Sequence, residues 1–326
     1  MRDIAQKAGV SVVTVSRALN KKPDINSETR EQILSIAREF DYRPDGLARS
    51  MVTRRTRTLG MVIPDMEPFC ASIVDGVSSE ALKRGYSVML CNRQDSADKE
   101  LELIRLLREK RVDGMLIYPL QADHRYIDEL KNSPVPYVLL NRHAGELACD
   151  YVISNNVEGA YTATRHLLER GRRGLVYVCP EPRPSSGRER IAGCVKAMDE
   201  FGLPRESLRV AVCRDHIGSC YDVTKDLLKE DNTIDAIFTW DDRLAFGAIK
   251  AISDAGLRIP GDVALVGYDD VESSAYLTPP LTTVRNPSRE IGQTAVRVLL
   301  DRLELKEEKE PERIVLKPEL IVRESS

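Results

Sequence analysis

Two pairs of adjacent carboxylates, Asp241-Asp242 and Asp269-Asp270, are the residues of this chain that most invite chemistry. Two carboxyl groups flanking one bond are what glycoside hydrolysis requires. Neighbours at a strand end point in different directions, however, and each pair has a plain explanation as a turn followed by a helix cap. Asp269 directly follows the apolar run Ala264–Tyr268. A carboxylate there can accept hydrogens from two ligand hydroxyls, whereas Asp270 reads as a turn residue. Trp240, the sole tryptophan, follows the run Ala236–Thr239. Its face can stack on a sugar or a base, or it can simply pack, and the sequence weighs the two equally. The four histidines (His124, His143, His166, His216) are scattered, as are the seven cysteines (Cys70, Cys91, Cys149, Cys179, Cys194, Cys213, Cys220). There is no CxxC, no Ser-His-Asp ordering, no phosphate-binding glycine loop and no GxGxxG after the first strand. Buried reduced thiols, no metal, no cofactor and no enzymatic activity are the expectations.

A second set of residues invites contact rather than catalysis. Val12, Val13, Ser16 and Arg17 fall outside the inward face of a short helix near the amino terminus, and exposed valines at a helix start suit a DNA major groove. Apolar side chains there meet thymine methyls, and an arginine reaches guanine O6 and N7. The elements needed to present them are legible. Arg2–Ala8 reads as a helix with Ile4, Ala5 and Ala8 on one face. Gly9 supplies the positive φ of a tight turn, and Ser11 caps a second helix running to Asn20, with Val15 and Leu19 turned inward. Two short helices joined by a turn with glycine form a helix-turn-helix; the small side chain of Ala5 permits their close crossing. A third helix follows from Ser27, with Ile33, Leu34, Ile36, Ala37 and Phe40 as its buried stripe. A helical hairpin that merely caps a larger domain is the bland alternative.

Charge separates along the 326 residues. Residues 1–57 carry twelve Lys and Arg against seven Asp and Glu, a net +5, so the remainder carries −8 within the whole-chain −3. A basic head on an acidic body fits a protein that meets phosphates at one end. No signal peptide and no apolar run near membrane-spanning length is present, so a cytoplasmic location with no membrane partner is expected.

From residue 58 short apolar runs (58–64, 86–91, 112–117, 136–140) alternate with helical segments near 72–84, 99–110 and 124–132. After Tyr151 the rhythm restarts, with strands at 175–179, 208–212, 236–239 and 263–267 and helices near 157–170, 187–202, 219–230 and 242–255. This predicts an α/β fold of two doubly wound lobes, with a ligand cleft at the carboxyl ends of their strands.

The order helix-turn-helix, third helix, Tyr42-Arg-Pro44, then Ala48-Arg-Ser-Met51 resembles the bacterial lactose/galactose/purine repressor (LacI-type) family. Val263-Ala-Leu-Val-Gly-Tyr-Asp-Asp270 and Pro279-Pro-Leu-Thr-Thr-Val-Arg285 extend the likeness over essentially the whole chain. The resemblance implies a DNA-binding headpiece (residues 1–44), a hinge helix and linker (45–57) and a periplasmic-binding-protein-like core (58–326). In that core the chain crosses between lobes three times, the helix near 288–304 returning to the first lobe and the last strand to the second. It implies operator contacts from Ser11, Val12, Val13, Thr14, Ser16, Arg17 and Asn20. Ala48, Arg49 and Met51 would act in the minor groove, Met51 standing where leucine is usual. It also implies an effector site of Phe69, Cys70, Asn141, Asn155, Arg190, His216, Trp240, Asp241, Asp269 and Asn286.

The function so implied is a homodimeric regulator, a repressor, on a palindromic double-stranded DNA operator, with its affinity set by a small-molecule effector such as a sugar. The alternatives are a small-molecule receptor whose head docks a protein partner, and a regulator answering to a phosphorylated carrier protein. The C-terminal residues Glu319–Ser326 carry no heptad repeat, which argues against a tetramerising coiled coil.

Overall fold

Side-chain caps start the second and third helices of the amino-terminal unit where the sequence places them. The computed structural model describes residues 1–19, 22–42, 55–94, 96–120, 124–145, 147–181, 184–304 and 310–326, and divides them into two compact units, Met1–Thr56 and Arg57–Ser326. Helix α1 (Arg2–Ala8) ends at Gly9, whose φ of 66° lets its N–H turn back to the helix carbonyls. Ser11 Oγ accepts the Thr14 amide at 3.0 Å and opens α2 (Val12–Leu19). Asn26 Oδ1 accepts the Thr29 amide at 3.1 Å and opens α3 (Ser27–Glu39). Ile4, Ala5, Ala8, Val15, Ala18, Ile33, Ile36 and Ala37 close one small core. The expected stripe on α3 is corrected at two places. Leu34 is half-buried, and Phe40 is exposed because it lies past the last helical turn, with the Lys7 ammonium 5.3 Å from its ring centre.

The second unit holds two six-stranded sheets. In the first, β1 (Thr58–Ile63), β2 (Ser87–Asn92), β3 (Gly114–Ile117), β4 (Tyr137–Leu140), β5 (Asp150–Ser154) and β11 (Arg313–Leu316) run parallel in the order β11-β5-β4-β3-β1-β2. In the second, β6 (Leu175–Cys179), β7 (Arg209–Val212), β8 (Ala236–Thr239), β9 (Ala264–Tyr268), β10 (Thr282–Arg285) and β12 (Glu319–Ile321) follow the order β12-β10-β9-β8-β6-β7, with only β12 antiparallel.

Helices cover both faces of each sheet, as parallel strands demand. In lobe 1, α4 (Pro68–Lys83) and α11 (Ser288–Glu304) pack on one face, α5 (Ala97–Glu109) and α6 (His124–Lys131) on the other. In lobe 2 the corresponding pairs are α7 (Asn156–Glu169) with α8 (Ser185–Glu200), and α9 (Ile217–Glu230) with α10 (Asp242–Asp254). The chain passes between lobes after β5, after β10 and after β11, three crossings as the resemblance implied. The run 86–91, expected to be buried, leaves Met89 and Leu90 uncovered in β2, because β2 lies at the sheet edge. All seven cysteines are buried and unbridged.

Candidate functional site

The strands of both lobes end on one cavity of about 380 Å³. Residues just past β1 to β4 supply Asp65, Arg93, Tyr118, Asn141 and Arg142, and those past β6 to β9 supply Glu181, Asp215, Trp240, Asp241 and Asp269. The first turn of α4 adds Phe69 and Cys70, and α8 adds Arg190. A Cα-level rule therefore builds the site: loops at the carboxyl ends of parallel strands face the crevice.

Arg190 is nearly inaccessible. Its Nη1 donates to the Trp240 carbonyl at 2.6 Å and its Nε to Asn156 Oδ1 at 3.1 Å. The guanidinium lies 3.5 Å from the Tyr268 ring centre and 4.5 Å from that of Trp240, a cation held by two π faces. Asp269 stands at the cavity wall with φ 98°, a conformation that non-glycine residues rarely hold and that recurs at functional sites. Asn286 Nδ2 donates to its carboxylate at 3.1 Å. Desolvation pushes the Asp269 carboxyl up to about 7, against the opposing pull of Arg190. Asn141 Nδ2 donates to the Tyr118 hydroxyl at 2.6 Å, while its buried Oδ1 has no partner among the described residues. Arg142 Nη1 is tied to the carbonyls of Pro119 and Leu120, both at 3.1 Å.

The two carboxylate pairs separate in space. Asp241 Oδ1 caps α10 by accepting the Leu244 amide at 2.6 Å. Asp242, fully buried, accepts from Thr283 Oγ1 (2.5 Å), Ser274 Oγ (2.7 Å) and the Val271 amide (2.9 Å), and burial pushes it up to about 8. Asp270 turns away from Asp269 to Arg285 and Arg323. Two contacts also join the lobes: an ion pair of Arg243 with Glu67 at 3.6 Å, and a hydrogen bond between His143 Nε2 and Glu189 Oε1 at 2.8 Å.

In the amino-terminal unit Val12 and Val13 are exposed, 39 % and 64 %, although both are apolar. Ser11 and Arg17 are exposed beside them, and Thr14 and Ser16 are half-buried. Arg17 Nη2 lies 2.7 Å from Asp24 Oδ2. Asn20, Ala48, Arg49 and Met51 lie outside the described residues.

Residues 1–45 match the family model described as bacterial regulatory proteins, lacI family, and residues 164–326 match the periplasmic binding protein-like domain. The chain is 33 % identical over 329 residues to the HTH-type transcriptional repressor PurR of Aliivibrio salmonicida (strain LFI1238), with 100 % of this chain and 98 % of that repressor covered. The chain belongs to the LacI family. Among solved structures it is similar to the transcriptional regulator CelR in complex with cellobiose, at TM-score 0.76 and 31 % identity, covering 99 % of this chain and 98 % of that one. It is also similar to the Lac repressor dimer bound to operator and the anti-inducer ONPF, at TM-score 0.88 and 27 % identity, covering 99 % and 97 %. These relatives are transcriptional regulators rather than enzymes, and this LacI-family member is a DNA-binding regulator controlled by an effector.

Within this LacI-family core Phe69, Cys70, Asn141, Arg190, Trp240, Asp241 and Asp269 come together on one cavity. Three other residues of the expected effector set sit elsewhere. Asn155 caps α7 by accepting the Glu158 amide at 3.0 Å, and its neighbour Asn156 is the one that touches Arg190. His216 caps α9, its Nδ1 accepting the Ser219 amide at 3.0 Å, and borders an adjoining recess. Asn286 stands behind Asp269 and orients it. Sequence reasoning missed Arg93, Tyr118, Arg142 and Arg243. Position after a strand end is the signal that finds the first three. Among the described residues no group of His, Cys, Asp and Glu is placed to hold a metal, and no helix is long and apolar enough to cross a membrane.

Proposed function

We propose that this chain is a cytoplasmic homodimeric repressor of a palindromic operator and that its effector is a sugar. The headpiece of residues 1–44 reads the operator major groove through Ser11, Val12, Val13, Thr14, Ser16, Arg17 and Asn20. Residues 45–57 form the hinge, with Ala48, Arg49 and Met51 in the minor groove, and residues 58–326 hold the effector. The observation that carries the sugar is Arg190 beside Asp269 in one cavity, each held by a neighbour: the Trp240 carbonyl for the arginine, Asn286 for the aspartate. A fixed donor fork next to a fixed acceptor matches adjacent hydroxyls, which accept from one and donate to the other. Asn141 Oδ1 adds a further acceptor in want of a donor. Apolar side chains uncovered on the edge strands, Met89 and Leu90 on β2 and Val212 on β7, support dimerisation through the core.

Thermal unfolding against sugars, sugar phosphates, nucleosides and purines tests the effector class. A ligand present at about 100 times its Kd adds roughly 2.7 kcal/mol of stability. A sugar should raise the midpoint by several degrees and then alter operator binding in a gel-shift titration; a shift confined to purines would reject the sugar.

A further inference from the structure

Lobe 2 gathers four of the seven cysteines, two on each face of its sheet. Cys179 ends β6 and packs with Cys194 of α8 on the face covered by α7 and α8. Cys213 follows β7 and packs with Cys220 of α9 on the opposite face. The Cys213 amide donates to the Cys179 carbonyl at 2.9 Å, yet the two side chains belong to different cores. The pairs also differ in chemistry. Burial pushes the Cys179 and Cys194 thiols up to about 12, so both stay protonated and inert. Cys213 and Cys220 instead share a hydrogen bond between their thiols. That bond draws the Cys213 thiol below its ordinary value, against burial and the carboxylates of Asp215 and Asp241, and it keeps the proton on Cys220. We propose that Cys213 and Cys220 are a peroxide-responsive pair that closes to a disulfide and clamps the loop between β7 and α9.

The Cys213 thiolate attacks one oxygen of hydrogen peroxide. The O–O bond breaks, hydroxide leaves and takes up a proton as water, and Cys213 becomes a sulfenic acid. The Cys220 sulfur then gives up its proton and attacks the sulfenic sulfur; the S–O bond breaks and the departing hydroxyl leaves with that proton as a second water. Two thiols are thus oxidised by two electrons, and one peroxide is reduced to two waters. Cys213 is buried, but Val212 before it and residues 214–218 after it are exposed, so the pair lies at the margin of its core. Cys220 is held in place from α10: a Cβ on Gly247 would come 3.2 Å from Cys220 Cβ and 2.3 Å from the Ile217 carbonyl oxygen. The bond would close a ring over the six residues Arg214–Ser219. Asp215 within it pairs with Arg243, and Arg243 reaches Glu67 of lobe 1 at 3.6 Å, so the clamp acts on a contact between the lobes.

Tryptic mapping of the full chain without reductant, after hydrogen peroxide treatment, tests the inference. Trypsin cuts after Arg209, Arg214 and Lys225, so the bond should join Val210–Arg214 to Asp215–Lys225 in one species that dithiothreitol splits. The thiol count of the unfolded product should fall from seven to five. Cys213→Ser should keep all of its thiols under the same treatment. Cys220→Ser should instead leave a sulfenic acid on Cys213 that dimedone traps, and a melting curve for each variant confirms folding. Hydrogen exchange of the amides in Arg214–Ser219 should slow several-fold in the oxidised chain and recover on reduction. Seven surviving thiols, a Cys179–Cys194 bond or a bond between two chains overturns the inference. A Cys213–Cys220 bond with unchanged exchange overturns the clamp.

Discussion

Asp269 places a titrating carboxyl on the cavity wall. Its carboxyl rises from 3.8 to about 7 on folding, chiefly through desolvation, so between those values the folded chain keeps a proton that the unfolded chain has lost. The stability this group contributes is therefore greatest at low pH and declines as pH rises to about 7. On the sugar reading proposed above, ligand hydroxyls favour the ionised form, so binding expels the proton. Effector affinity should rise with pH below 7, by up to about tenfold per unit, and level off above it. Asp269→Asn should flatten that profile as well as weaken binding, even with Asp241, Asp242, Arg190 and Arg243 close by; a slope that survives the substitution would place the proton elsewhere. The residue scale is also where the sequence was hardest to read. Asp269, Trp240 and Arg190 were legible as cleft residues. That Asn156 rather than the expected Asn155 meets Arg190 was not, because Asn155 caps a helix and Asn156 faces the arginine, a difference of side-chain direction that spacing does not carry.

Elements carry the stability and the operator contacts. Helices α4 and α11 meet through glycines: a Cβ on Gly76 would lie 2.2 Å from the Arg289 carbonyl oxygen, and one on Gly292 would lie 2.3 Å from that of Ile73. Backbone cannot yield as a side-chain tip can, so Gly76→Ala should cost about 1–3 kcal/mol in urea unfolding. An unchanged midpoint would mean that α11 does not seat against α4 in solution. On α2, Arg17 is paired with Asp24 at the surface, and that exposed contact must open for the guanidinium to reach a base. Arg17→Ala should lose about 1–3 kcal/mol of operator affinity and relax preference at one base pair, while binding stays steeply salt-dependent through the remaining phosphate contacts. A uniform loss across all DNA sequences would reassign Arg17 to the backbone. Helix and strand positions followed from periodicity and caps. What periodicity could not give was sheet order: β2 reads as apolar as β1, and only its place at the edge leaves Met89 and Leu90 uncovered.

Across the core, control depends on the two lobes sharing groups. His143, past β4, reaches Glu189 on α8, and its backbone N–H lies 3.3 Å from Ser185 Oγ, so one loop of lobe 1 is fastened to the start of a lobe 2 helix. Glu189 in turn holds Asn156 at 2.9 Å, and Asn156 holds Arg190, so the fastening runs to the arginine that lines the cavity. His143→Ala should loosen lobe closure and speed effector release in stopped-flow measurements by several-fold, with the association rate little changed. A changed association rate alone would mean that this pair gates entry instead.

The three crossings also order events during synthesis. The amino-terminal unit has its whole core by Ala37, so it can assemble as soon as that stretch leaves the ribosome. Neither lobe can close so early: lobe 1 waits for α11 and β11, and lobe 2 for β12, which ends at Ile321. The part that grips the operator is thus made before the part that senses the effector. A message broken before β12 would yield a head whose second lobe lacks its last strand, so regulation depends on translation running through Ile321.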